Sequence, residues 1–358
     1  MTRKEFYNEI LKLAPSEYDA SKCDFQKHLD GLFNRYIELL DELDNVERRE
    51  KKWGSWDKNK RTINNLIDVI KGVIKLYYEG RHSKAFEYLK NYIYNENVTL
   101  DYKFGYGENF YRMRTFDEGE IHDCEGMFHI PFDKRTIVKT QRYSAPGYPC
   151  LYLGTSAYVC WEEMLRPNLD KCYVSRFHVN DVIFVYDLSL PSNDKWNNID
   201  DFHKDLFRFP LVIASMVKVA KPKDPFKPEY IIPQLLMEMV IEDRQNEKNT
   251  YKELLMGIAY TSVHKSKDFD FDSNKTVNFA IPAFPPFDGN YSKELCKMFQ
   301  LTEPTCDELE RIKCPYQTIE RDEKMSDLEY NYRISTFGQL EARLKDETKF
   351  PLDRIKSE

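Results

Sequence analysis

Apolar residues in the first hundred positions recur every third or fourth place. Leu29, Leu32, Phe33, Tyr36, Ile37 and Leu40 follow the i, i+3, i+4, i+7 spacing of one helix face, and Ile63, Leu66, Ile67, Ile70, Ile74 and Tyr77 repeat it. The spacing predicts two amphipathic helices. Ser83 is placed to cap a third, through Phe86 and Leu89. Between the first two helices, RREKKWGSWDKNKR (48–61) carries a basic cluster and two Trp around a Gly. A short charge run reads as a solvated interhelical loop with Trp anchors, in preference to a nucleic-acid patch.

Near residue 100 the pattern changes to short β-like runs separated by Pro and Gly. TIVKT (136–140), PCLYLG (149–154), CYVSRFHV (172–179), VIFVYDLSL (182–190), GIAYTSV (257–263) and VNFAIPAF (277–284) are rich in β-branched and aromatic residues and read as strands. Helical stretches lie between them. SAYVCWEEML (156–165) has Thr155 or Ser156 as N-cap. A second runs through Phe202 and Leu206 to Val217, with Pro210 marking a break or a first turn. A third is PQLLMEMVIED (233–243), with Pro233 at the first helical position. KPKDPFKPEY (221–230) reads as a surface loop, and EYNYRISTFGQLEARL (329–344) as a closing helix after the polar stretch 302–327. Strands and helices interleave without regular βαβ alternation, so an α+β fold is expected. The expected organisation is a helical N-terminal region (1–100), a mixed core (101–290) and a C-terminal extension packed on that core (291–358).

Composition narrows the function. A formal charge of −7 argues against a general nucleic-acid binder, because phosphate binding needs a concentrated basic face. No apolar run approaches the length of a membrane-spanning helix, and MTRKEFYNEI breaks into charges at once, unlike a signal peptide. The eight cysteines form no CxxC pair, so no metal is expected; Cys150 and Cys160 sit in apolar runs, as reduced core thiols of a cytoplasmic protein do. The chain has no P-loop, HExxH or GxSxG, and GYGENF (105–110) is not a complete GxGxxG. His129, in MFHIPF, is the one conspicuous histidine and reads as a satisfied structural group.

Polar groups do appear where apolar ones belong. Arg112 and Arg114 lie in FYRMR (110–114), Arg142, Tyr143 and Ser144 precede a Pro-Gly turn, Glu162 and Glu163 close a helix after a buried-type strand, and Ser262 ends a strand. Arg and Glu at element edges usually form surface pairs worth little. Together, though, Arg, aromatic, Glu and Ser suit one chemistry. Arg grips a pyrophosphate with a planar fork, an aromatic ring stacks on a base or nicotinamide, and a carboxylate stabilises an oxocarbenium-like ribosyl cation. Adjacent helical residues point about 100° apart, so only one of Glu162 and Glu163 faces such a site and the other faces solvent. Counting from Tyr152 favours Glu163.

The order of these segments resembles the RES-domain family, named after its Arg, Glu and Ser, from about residue 108 to about 284, roughly half of the chain. Tyr111–Arg112 matches the family's aromatic-Arg opening, RYSAPGYPCLYLG its basic-aromatic-polar turn and strand ending in Tyr, and GIAYTSV its G-I-x-Y-x-S strand. The turn departs from the family, which more often has Trp or Phe with neighbouring glycines. The resemblance implies an ADP-ribosyltransferase-like α+β core that consumes NAD as substrate, with no bound cofactor. It implies a bacterial toxin or defence effector held by an antitoxin, and self-association is left open. It assigns Arg112, Glu163 and Ser262 as the catalytic trio, with Arg142, Tyr143, Tyr152 and Glu162 as substrate-side residues. Glycohydrolase or phosphorylase action leads, and transfer of ADP-ribose to a macromolecule or a non-catalytic binding role are the alternatives.

Overall fold

The computed structural model describes residues 1–43, 55–96, 98, 101–104, 107–116, 122–245, 255–264, 275–285, 287–288, 290–313, 321–322, 325–345 and 347–351. In chain order, the first elements are α1 (Arg3–Ile10), β1 (Ser16–Glu17), α2 (Phe25–Glu42), α3 (Trp56–Tyr78), α4 (His82–Asn95), β2 (Asp101–Phe104), β3 (Asn109–Thr115), β4 (Cys150–Gly154), α5 (Ala157–Glu163), β5 (Cys172–Val179) and β6 (Ile183–Leu188). They are followed by α6 (Ile199–Ser215), β7 (Val217–Lys218), α7 (Ile231–Gln245), β8 (Leu255–Thr261), β9 (Val277–Pro282), β10 (Phe287–Asp288), β11 (Tyr291–Ser292), α8 (Lys293–Met298), β12 (Phe299–Leu301), α9 (Asp307–Lys313), α10 (Asp327–Ile334), α11 (Thr336–Leu344) and β13 (Phe350–Pro351). The fold is α+β.

The chain forms two compact units, and their division differs from the linear one expected. Residues 141–143 and 187–239 join the helical residues 1–101, and the remainder, including the C-terminal stretch, makes the second unit.

In the first unit, α2 and α3 follow the two apolar stripes of the sequence. Leu29, Phe33, Tyr36 and Leu40 are buried along α2, and Ile63, Leu66, Ile67, Ile70 and Ile74 along α3. Most of the basic loop between them lies outside the described residues; Trp56 opens α3, and the Ser55 side chain accepts from the Lys58 amide. Helix α4 starts one residue before Ser83, and its N-cap, Arg81, makes no side-chain capping bond. Helix α6 runs unbroken through Pro210, where a break or first turn was expected. A proline cannot donate to the carbonyl four residues back. Here that carbonyl, of Leu206, accepts the buried Tyr36 hydroxyl at 2.8 Å, so nothing buried is left unpaired by the missing amide. Helix α7 begins at Ile231, two residues before Pro233. The loop at 221–226 is exposed, as expected.

The second unit is built on a nine-stranded sheet of order β13-β12-β5-β3-β4-β9-β8-β6-β2. The runs read as strands at 149–154, 172–179, 182–190, 257–263 and 277–284 supply β4, β5, β6, β8 and β9. TIVKT does not form a strand: Phe132–Ile137 is a 3-10 turn, with Arg135 O accepting from the Val138 amide. β-Branched composition favours a strand only where a neighbouring strand supplies partners. The closing helix is two helices: α10 stops at Ile334 and Ser335 caps α11, its Oγ accepting from the Gly338 amide at 3.2 Å. Gly338 permits the tight corner, because a Cβ there would lie 2.3 Å from the Tyr332 carbonyl oxygen.

One sheet face carries α5 and α11. Tyr111 and Met113 of β3 and Cys172 and Val174 of β5 pack with Ala157 and Cys160 of α5 and Leu340 and Leu344 of α11. Gly154, at the end of β4, lets α5 lie close to the strand: a Cβ there would meet Val159 at 2.6 Å and Cys160 at 2.8 Å. Cys124, Cys150, Cys160, Cys172, Cys296 and Cys306 are buried free thiols. His129 is buried; its Nε2 accepts from the Ser292 amide at 3.0 Å while Nδ1 lies 2.9 Å from the Ile130 carbonyl, a satisfied structural group. Among the described residues, no helix is long and apolar enough to cross a membrane.

Candidate active site

Arg112 sits in the middle of β3, directly opposite Ser175 of β5 in the antiparallel register. Its Nη1 donates to the Tyr152 carbonyl at 3.0 Å, which fixes the guanidinium against β4. Its Nε is buried without a hydrogen-bond partner among the described residues. Burial, then the neighbouring Arg114 cation, push its pKa down to about 10. At neutral pH the group is still a cation, and adding an anion would relieve both costs. Arg114 itself donates to the Gly126 carbonyl and lies over the Phe116 ring, its guanidinium carbon 4.9 Å from the ring centre.

Tyr152, in β4, takes this arginine's bond on its carbonyl. Its phenol is pushed well above the usual range by burial first and by nearby Cys150; Glu163 raises it further, while Ser144 and Arg112 work in the opposite direction. Arg112 thus meets Tyr152 at its backbone carbonyl, while the Glu163 charge bears on its phenol.

Glu163 is the last residue of α5, and its Oε1 accepts from Asn278 Nδ2 at 2.9 Å. Asn278 is buried in β9, paired in register with Gly154 on one side and Tyr260 on the other. Ser262 lies two residues beyond Tyr260, buried just past the end of β8. Its amide donates to the Thr276 carbonyl at 3.4 Å, and its Oγ accepts from the His264 amide at 3.1 Å. The hydroxyl thus shapes the turn that leaves the sheet.

The glutamate doublet resolves differently from expectation. Glu162 does not face solvent. It is 1% exposed and pairs with Arg166 Nε at 3.0 Å. The turn after α5 makes this pairing: Leu165 (φ 61°) and Arg166 (φ 58°) are both left-handed, and their amides return to the Glu162 and Trp161 carbonyls at 3.0 Å each. L-residues rarely hold that conformation, so packing must over-determine it. The Trp161 indole contributes, donating to the Pro167 carbonyl at 2.8 Å.

Arg142 and Tyr143 belong to the first unit. The Arg142 guanidinium, assigned from sequence to phosphate, donates to backbone carbonyls instead: Nη1 to Ser215 at 2.8 Å and Glu229 at 3.4 Å, Nη2 to Val217 at 2.8 Å. It closes the C-terminal end of α6, where helix carbonyls need donors. Tyr143 is almost fully buried.

Asn278 is the residue that sequence reasoning passed over. A signal existed: it is the only polar side chain in the strand-like run VNFAIPAF. A buried amide in such a strand needs a partner, and the glutamate is that partner.

No family model matches this chain, and no solved structure matches it. It is 35% identical over 304 residues to a Bacillus subtilis (strain 168) protein named "Putative toxin YopC". The matched stretch covers 78% of this chain and 65% of that relative.

Proposed function

We propose that this protein is an NAD-consuming enzyme of the RES type that cleaves the bond between nicotinamide and ribose, and that it acts as a toxin restrained by an antitoxin. The observations that support the chemistry are a partly desolvated guanidinium, Arg112, bonded to the Tyr152 carbonyl, and a carboxylate, Glu163, held by the buried Asn278 amide on the strand next to that of Tyr152. The toxin name of the relative supports the biological role.

Arg112 takes the charge of the pyrophosphate. This supplies the anion that its partly desolvated guanidinium favours. Glu163, held by Asn278, lies against C1′ of the nicotinamide ribose as positive charge develops there. The C1′–N bond breaks with its electron pair passing to the pyridinium nitrogen, and nicotinamide leaves neutral. The ribosyl cation takes the oxygen of water, with loss of a proton, or of phosphate. Tyr152 and Ser262 line the sugar side. Arg142 has no part in this scheme, since its donors are used on carbonyls.

The test incubates the purified protein with NAD, with and without phosphate, and follows products by chromatography. Nicotinamide release is expected, with ADP-ribose or its 1-phosphate as second product, and loss of turnover by at least about 100-fold in Glu163→Gln. Intact NAD, or undiminished turnover in that variant, would overturn the reading.

A further inference from the structure

Helix α5 has seven residues, too few to be stable alone in water, yet its last side chain is the proposed catalytic carboxylate. Something outside the helix must fix it. At its start, Ser156 Oγ accepts from the Val159 amide at 3.0 Å and donates to the Lys275 carbonyl at 2.6 Å. The second fixture comes from the far end of the sequence. Glu341 of α11 is 5% exposed, and its Oε1 accepts from the Ala157 amide, the first of α5, at 2.8 Å. The same oxygen accepts the hydroxyl of Tyr332, from α10. Its Oε2 lies 3.7 Å from the ammonium of Lys275, which also sits 5.0 Å from the centre of the Tyr332 ring.

A buried carboxylate is costly to keep ionised unless it is bonded and paired. Here burial raises its pKa, and Lys275, Tyr332 and the Ala157 amide oppose the rise. An apolar residue would fill the same space without that cost, and the flanking contacts are already apolar: Phe337 lies 5.5 Å from the Tyr158 ring and 5.4 Å from the Trp161 ring. The carboxylate adds direction, which apolar contact does not supply. It fixes the start of α5 along one amide axis, and Asn278 fixes the end.

We propose that Glu341 is a positioning residue for the reaction: with Tyr332 and Lys275 it clamps the first turn of α5, and so sets where the Glu163 carboxylate lies. This assigns a role in the reaction to the C-terminal helices, which lie outside the segment resembling the RES family. As far as catalysis is concerned, the inference rests on the function proposed above.

The experiment compares full-length wild type with Glu341→Gln, Tyr332→Phe and Ser335→Ala. The last removes the cap of α11 without touching α5 and controls for general loosening. Two readouts are taken: kcat and KM for NAD, and amide hydrogen exchange over residues 157–163. Glu341→Gln is expected to lower kcat about 10- to 100-fold with KM changed less than about 3-fold, and to speed exchange in α5 about 10-fold or more. Tyr332→Phe should show both effects more weakly, and Ser335→Ala neither. Unchanged α5 exchange in Glu341→Gln and Tyr332→Phe would overturn the clamp, as would equal losses of kcat in Ser335→Ala. If wild type leaves NAD intact, the proposed function fails, while the exchange comparison still decides whether the clamp exists. If Glu341→Gln does not fold, Tyr332→Phe carries the same test.

Discussion

The Glu163 carboxylate accepts a hydrogen bond from the buried Asn278 amide at 2.9 Å, so a strand residue fixes the one helix side chain proposed to meet the ribose. Asn278→Ala should free that carboxylate and lower kcat for NAD about 10- to 100-fold, with little change in melting temperature. Asn278→Asp is the sharper variant. It places a second carboxylate within hydrogen-bond range of the first, and two such groups cannot both ionise easily. The ionised form of Glu163 would then be reached only at higher pH. The acid limb of the pH–rate profile should move upward by about one unit or more; an unmoved limb would separate Glu163 from the chemistry.

Tyr36 and Pro210 form a pair across two helices, joined through the Leu206 carbonyl. Tyr36→Phe leaves that buried acceptor without the hydroxyl, at an expected cost of about 1–3 kcal/mol. In a Pro210→Ala background the restored amide can bond to the same carbonyl, and the cost of Tyr36→Phe should shrink by about 0.5 kcal/mol or more. A double-mutant cycle by urea unfolding measures this. Additive costs would mean that the hydroxyl serves some other group.

The same pair shows where sequence reasoning stops. Proline chemistry predicts a break at 210, and only a tertiary donor from α2, the Tyr36 hydroxyl, removes the need for one. The long periodic helices were legible because their apolar stripes carry the signal through many turns. Strand β5 was legible as 172–179 because β-branched and aromatic residues fill a central strand. TIVKT has the same composition and no strand partner. In the site, Arg112, Glu163 and Ser262 stood out as polar groups in apolar runs. The burial of Glu162 did not, since it depends on two left-handed residues after the helix. Nor did Glu341, whose partner at Ala157 lies on the other side of the sequence.

His203, in α6, is 1% exposed. Burial first, then the Arg3 cation, lower its pKa from 6.5 to about 4, against a smaller opposing pull from Asp200. The unfolded chain therefore binds a proton between those values that the folded chain does not. Stability is fully present above about pH 6.5 and is lost as pH falls toward 4, by an amount on the order of 2–3 kcal/mol. His203→Gln should flatten that part of the stability–pH curve, measured by urea unfolding at a series of pH values. A slope unchanged in the variant would assign the acid sensitivity to other groups.

Arg142 separates the two assignments that its chemistry allows. If its guanidinium held a phosphate, Arg142→Gln would raise KM for NAD and leave the fold unaffected. Its three bonds to the Ser215, Val217 and Glu229 carbonyls argue the reverse. A charged donor lost from such acceptors costs about 1.5–3 kcal/mol, and Gln cannot reach all three. The expected result is a clear fall in the unfolding midpoint, with KM for NAD within about 2-fold of wild type at a temperature where both proteins are folded. Arg112→Lys should do the opposite. It keeps the charge but loses the fork that spans the Tyr152 carbonyl and an incoming anion, so KM should rise about 10-fold or more while stability changes little. Measuring both variants side by side tells a guanidinium that holds the chain from one that holds the substrate.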